Sequence, residues 1–284
     1  RDPEMSRGLG DVYKRQETAL KNNIEKIRNG GFSNRYDAKG GCVAVIDVHS
    51  GEILAMASNP DYDPNAWVGG ISVAEYNQIK ENNSLFNKAI SGSYAPGSIF
   101  KMVTALAGLE SGVISTTEKI NDTGIYTRYR DYQPRCWYYN SYHRGHGYLD
   151  VSGAIEKSCN YFFYETGNRM GIETLDKYAN YFGLGRKTGI ELPSETSGTL
   201  ASPEAAKKVN ETWSSGQTLQ AAIGQSYNSF SPIQLVKYIG MVANGGNKIR
   251  PTLIKRILNA DGTESSKTEI NEYVKEKLGL DDDN

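Results

Sequence analysis

Two short apolar runs, Cys42-Val43-Ala44-Val45-Ile46-Asp47-Val48 and Ile53-Leu54-Ala55-Met56-Ala57, flank the polar His49-Ser50-Gly51-Glu52. Apolar, β-rich runs on both sides of a turn predict a strand hairpin over 41–58. Their near-continuous hydrophobicity leaves no face for water, so helices have to cover the sheet on both sides. Helical spacing supplies them over 99–111, 151–157, 161–170, 172–182 and 232–243. The last has a full set of boundary signals: Ser231 as N-cap, Pro232 at the first helical position, and Asn244-Gly245-Gly246 past the end. Before the hairpin, Leu20, Ile24 and Ile27 recur at helical spacing and stop at Gly30-Gly31, a linker helix within 17–38. After 243, Pro251 to Leu258 reads as a strand, Asn259-Ala260-Asp261-Gly262 as a turn and Ile270 to Leu278 as a helix. The layout is α+β: an antiparallel sheet flanked by helices, with an all-helical subdomain over about 112–230 before a return helix and strand over 231–258.

Composition narrows the function. In 284 residues there are 32 basic and 33 acidic side chains with no long run of either, so no nucleic acid is expected as a partner. No apolar stretch approaches the ~18 residues that span a bilayer, and no signal peptide is evident. Three widely spaced cysteines, Cys42, Cys136 and Cys159, do not suggest a disulfide framework. His143, His146 and Cys136 lack the spacing of a zinc site, so neither metal nor cofactor is expected. Residues 1–16 read as a non-native, adapter-like segment, and 39–284 as a partial domain cut at its end.

The chemistry centres on Tyr94-Ala95-Pro96-Gly97-Ser98-Ile99-Phe100-Lys101. Pro96-Gly97 breaks the chain ahead of an apolar helix, which puts Ser98 in the first turn and Lys101 three residues on, on the same face. A hydroxyl becomes a competent nucleophile when a neutral amine can take its proton. A lysine neutral at pH 7 needs its pKa pushed down by about 3 units. The motif needs a partner, and Ser158-Cys159-Asn160 offers one: a hydroxyl to relay a proton and an amide to hold a carbonyl. Seven tyrosines and Trp137 between Tyr126 and Tyr148 read as a folded lobe, with a substrate groove as the alternative.

Serine-x-x-lysine followed by serine-x-asparagine resembles the signature of penicillin-binding proteins and serine β-lactamases. From Gly41 to Ile257 the chain looks like the transpeptidase domain of a class B, elongation-type penicillin-binding protein. Asp47 to Met56, Ala95 to Lys101, Gly145-His146-Gly147, Thr188 to Pro193 and Ala222-Ile223-Gly224-Gln225 match in order. The resemblance implies a serine D,D-transpeptidase that cross-links peptidoglycan and is acylated by β-lactam antibiotics. Ser98 would attack the penultimate D-Ala carbonyl of a stem peptide, with Lys101 as base, Ser158 as relay to the departing D-Ala, and Asn160 positioning substrate and lysine. It also implies an extracytoplasmic place at the bacterial membrane, an amino-terminal anchor absent from this chain, and elongation or division machinery, including a glycosyltransferase, as partners.

The family's third box, K-T-G, belongs on a strand beside the serine. Lys187-Thr188-Gly189 fits the letters, yet it runs into Ile190-Glu191-Leu192-Pro193 and reads as a loop, which would put the true box beyond Asn284. On that reading the fragment is expected to be inactive or poorly folded, having lost an oxyanion donor worth ~10²–10³ in rate. The alternatives are a β-lactam sensor and a class D-like β-lactamase. A class A enzyme is argued against by Glu191 and Glu195, neither of which is followed by Leu and Asn three and four residues on.

Overall fold

The computed structural model describes residues 3–255 with Leu258 and Thr263, and side chains from Arg15 onward. The expected turn at 259–262 and helix at 270–278 lie outside the described residues, as does part of the expected 251–258 strand. Helix α1 spans Pro3–Arg28, strands β1 and β2 Gly41–Ile46 and Ile53–Asn59, and α2 Val73–Glu81. A 3-10 turn, Gly97–Phe100, leads into α3 (Lys101–Glu110), β3 (Ile120–Asp122), α4 (Trp137–Tyr142), β4 (Gly147–Leu149), α5 (Val151–Glu156) and α6 (Asn160–Tyr181). Then come α7 (Pro203–Lys208), α8 (Ser215–Ala222) and α9 (Pro232–Ala243). The chain divides into two compact units, one of Arg1–Ser93, Lys187–Thr196 and Ser231–Asn284, the other of Tyr94–Arg186 and Ser197–Phe230.

In the first unit β1 and β2 pair antiparallel from Gly41 opposite Asn59, with a register shift at Val45/Ile46. Asp47 closes the turn by accepting at 2.8 Å from the backbone N–H of both His49 and Ser50. Helix α1 packs on both strands and α9 on β1, with Ile24 beside Gly41 and Gly240 beside Ile46. The hairpin is less enclosed than its hydrophobicity implies, because Val43, Val45 and Leu54 stay exposed, Leu54 by 57%. The expected strand at 251–258 is, among the described residues, a single parallel bridge: Ile53 N–H donates to Thr252 O, and Thr252 N–H to Gly51 O, at 2.9 Å each. Helix α9 starts where its signals predict, Ser231 and Gln234 forming a capping box. It buries Ile233 against Ile90 and Ile190.

In the second unit α6 packs between α3 and α8. The expected helices at 161–170 and 172–182 form one run broken at Gly171, whose φ of 74° no helix contains. The segment expected to be all-helical also carries a short antiparallel pair, β3 with β4, Ile120 opposite Leu149. Phe162, Phe163, Leu219, Ile223, Tyr126 and Leu149 form the core beneath it.

Candidate active site

Ser98 is exposed in the 3-10 turn that starts α3. The turn is tied down from behind: Gly97 N–H donates to Gly224 O at 2.9 Å, and Thr104 Oγ1 on α3 donates to Ala222 O at 2.7 Å. Gly224 has φ 74°, and a Cβ there would lie 2.1 Å from Gly97 O. Only glycine fits so close a backbone approach. The Ala222 to Gln225 stretch thus gains a physical role as the backing of the serine turn.

Ser158 comes to Ser98 through the elbow between α5 and α6. Cys159 N–H donates to Ala154 O at 2.9 Å and Ser158 N–H to Ile155 O at 3.0 Å, the paired bonds of a Schellman stop. That stop needs a left-handed residue, and Ser158 occupies it at φ 49°. A non-glycine residue there costs about 1–2 kcal/mol. Cys159 caps α6 by accepting from Phe162 N–H at 3.4 Å, and Asn160 is the first residue of the helix.

The four expected site residues meet. Lys101 Nζ donates to Ser158 O at 2.8 Å, Ser158 Oγ at 3.0 Å and Asn160 Oδ1 at 2.6 Å, and Ser158 Oγ lies 2.9 Å from Ser98 Oγ. The link from Ser98 to Lys101 therefore runs through Ser158, across 57 to 60 residues of sequence. Lys101 is 2% exposed, and burial pulls its pKa down to about 8 against the opposing pull of Cys159 and Cys136. Three acceptors saturate the ammonium, so the buried cation stays partnered while burial favours its neutral form.

Residues 41–279 match the family described as penicillin binding protein transpeptidase domain. The chain belongs to this family. It is 34% identical over 232 residues to the peptidoglycan D,D-transpeptidase MrdA of Acinetobacter baumannii, covering 78% of this chain and 33% of that protein. The structure of Pseudomonas aeruginosa PBP2 in complex with WCK 5153 superposes with a TM-score of 0.70 at 31% identity, covering 90% of this chain and 59% of that one. Penicillin-binding protein A of M. tuberculosis, solved as a ceftriaxone acyl-enzyme complex, gives a TM-score of 0.65 at 26% identity, covering 80% and 50%. The chain spans about one third of the length of the curated relatives it matches.

In this transpeptidase domain Lys187-Thr188-Gly189 lies in a loop, as its sequence context suggests. Thr188 donates through N–H and Oγ1 to Glu195 Oε1 at 2.7 and 2.6 Å, Gly189 N–H donates to Glu195 Oε2 at 3.1 Å, and Gly189 O accepts from Arg250. Its backbone is committed to holding that loop.

Spacing in the sequence does not anticipate where the cysteine and histidine side chains fall. His143 ends α4, exposed at φ 55°, but Cys136 and His146 converge with Asp122 and Cys159, their ligand atoms all within 4.8 Å of one another. Asp122 Oδ2 is 2.7 Å from His146 Nδ1, Cys136 Sγ is 3.7 Å from that nitrogen, and the two sulfurs are 4.0 Å apart. Burial pushes the Asp122 carboxyl up, but hydrogen bonds from His146 and Gly124 outweigh it and hold it below the usual range. Two thiols, an imidazole and a carboxylate are ligands that zinc takes in closed tetrahedral sites, so these four could hold one ion. Cys159 sits between Ser158 and Asn160 in sequence, so an ion there would brace the elbow. No spacing rule reveals this set, because its members come from β3, the start of α4, the approach to β4 and the cap of α6.

The sequence places Trp137 in the tyrosine-rich lobe but does not reveal its contact with the site. Its Nε1–H donates to Lys157 O at 3.1 Å and Ser158 O at 3.0 Å, so the Ser158 carbonyl is gripped by Lys101 and Trp137 together.

Proposed function

We propose that these residues form the catalytic part of a peptidoglycan D,D-transpeptidase that works through an acyl-enzyme on D-Ala-D-Ala stem peptides at the extracytoplasmic face of the membrane. The observation that carries this reading is the hydrogen-bonded line from Ser98 Oγ through Ser158 Oγ to buried Lys101 Nζ. With a pKa of about 8, roughly one lysine in ten is neutral at pH 7, against about one in 3,000 for an ordinary side chain. As Ser98 Oγ bonds to the penultimate D-Ala carbonyl carbon, its proton passes to Ser158 Oγ and the Ser158 proton to Lys101. The Ser98 backbone N–H, in the first turn before the helix, would donate to the oxyanion as it develops. The bond from that carbon to the terminal D-Ala nitrogen then breaks, and the relay run backwards protonates the departing amine. An amine from a neighbouring stem peptide attacks the ester in the same way, returning its proton through Ser158 and freeing Ser98.

A β-lactam carbonyl meets the same hydroxyl, its C–N bond opens, and the ring nitrogen takes the proton. The acyl-enzyme formed by the M. tuberculosis relative supports this chemistry. The test is to label the full-length gene product with a fluorescent penicillin beside Ser98→Ala. The expected result is stoichiometric label lost entirely in the variant; label persisting in Ser98→Ala removes Ser98 as the nucleophile.

A further inference from the structure

Beside Ser158 a cavity of about 660 Å³ is lined by Trp137, Tyr138, Arg144, His146, Glu156 and Lys157. Its charge is uneven, with two cations against one carboxylate, and among the described residues neither Arg144 nor Lys157 forms an ion pair. The arginine is nevertheless positioned. Its Nη2 donates to Tyr138 Oη at 3.1 Å, and its guanidinium carbon lies 5.7 Å from the centroid of that ring. The Tyr138 ring stacks in turn on the His146 ring at 4.3 Å, and Asp122 anchors that imidazole at 2.7 Å. Lys157 is fixed at its backbone by Trp137. A planar guanidinium tethered to a tyrosine hydroxyl, with a second cation nearby, is what bidentate carboxylate recognition uses.

We propose that this cavity is a subsite for a carboxylate of a stem peptide. The inference rests on the transpeptidase reading above and specifies which peptide chemistry that enzyme prefers. Ser158 lines the cavity and its Oγ lies 2.9 Å from Ser98 Oγ, so the cavity adjoins the nucleophile. Trp137 and Tyr138 give the peptide's aliphatic stem an apolar wall. Two stem peptides pass through the reaction, the acyl donor and the amine acceptor, and both bring carboxylates.

The experiment uses the full-length gene product with paired synthetic peptides, each as the free carboxylate and as the carboxamide at one side-chain position. One arm measures acylation of Ser98 by the donor pair, the other aminolysis of a preformed acyl-enzyme by the acceptor pair. The wild type is expected to favour the carboxylate over the carboxamide about tenfold in one arm, which identifies the peptide bound there. In Arg144→Gln with Lys157→Gln that preference is expected to fall to about one, and Arg144→Lys to restore part of it. A second measurement needs no variant: the wild-type preference should shrink between 50 mM and 500 mM salt, because exposed charges are screened within a Debye length of ~5–14 Å. Equal rates for carboxylate and carboxamide in both arms of the wild type, or a preference that survives in the double variant, overturns the subsite. Label persisting in Ser98→Ala would instead overturn the transpeptidase reading, so the two failures are distinguishable.

Discussion

At the scale of single residues, the proposed role of Lys101 as base fixes a pH response. Its native pKa of about 8 lies below the ordinary 10.5 because burial disfavours the ammonium. Only the neutral amine accepts the serine proton, so acylation of the full-length protein by a penicillin is expected to rise nearly tenfold per unit below pH 8 and level off above it. Stopped-flow rates from pH 6 to 10 test this; a flat profile removes Lys101 as the base. The linkage sign follows. Between about 8 and 10.5 the unfolded chain binds more protons at this lysine than the native one, so its contribution to stability improves with rising pH there. Asp176 has the opposite sign. Burial, with Glu204 nearby, raises its carboxyl to about 7, and its Oδ1 meets no partner. The native protein therefore holds that proton more tightly, and stability falls as pH climbs from about 4 to 7. Asp176→Asn is expected to add on the order of 2 kcal/mol at pH 8 and nothing at pH 4, read from urea midpoints.

Among elements, what was legible in the sequence was whatever is written locally. The start and stop of α9 are spelled by Ser231, Pro232 and Asn244, and the hairpin by two apolar runs around Asp47. Helices α2 and α8 went unread although Ser72 with Glu75 and Ser214 with Gln217 form capping boxes, because α2 buries no residue and α8 is only eight residues long. The serine-lysine and serine-asparagine motifs were visible as letters, but their joining needs a Schellman stop at Ser158 and glycine backing at Gly224, which arise only on folding. The Asp122, Cys136, His146 and Cys159 cluster was illegible for the same reason. It carries a prediction at this scale. Zinc at a hundredfold over its Kd stabilises by about 2.7 kcal/mol, so the melting temperature of the metal-free protein is expected to rise by several degrees. Cys136→Ser is expected to abolish the rise; no shift in the wild type, or an equal shift in the variant, rules the site out.

Over the whole molecule, the chain passes between its two units at residues 93/94, 186/187, 196/197 and 230/231. The short return at Lys187–Thr196 is held by two buried carboxylates. Glu195 accepts from the Thr188 and Gly189 backbone, and Glu191 accepts from Thr252 Oγ1 at 2.8 Å and Leu253 N–H at 2.9 Å. Removing Glu195 strands the buried N–H of Thr188 and the half-buried N–H of Gly189, at about 1–3 kcal/mol for a buried donor. Glu195→Ala is expected to lower urea-unfolding stability by roughly 2–4 kcal/mol, while an exposed change such as Glu173→Ala stays within about 0.5 kcal/mol. Among the described residues no helix is long and apolar enough to cross a membrane.

The contact between Gly97 and Gly224 matters for anyone diversifying this domain. These positions, 127 residues apart, share one backbone hydrogen bond, and at Gly224 there is no room for a methyl group. A random library that varies Gly224 will fill with dead clones, whatever chemistry it was built to explore. Productive variation lies at Arg144, Glu156 and Lys157, which are exposed where they line the cavity.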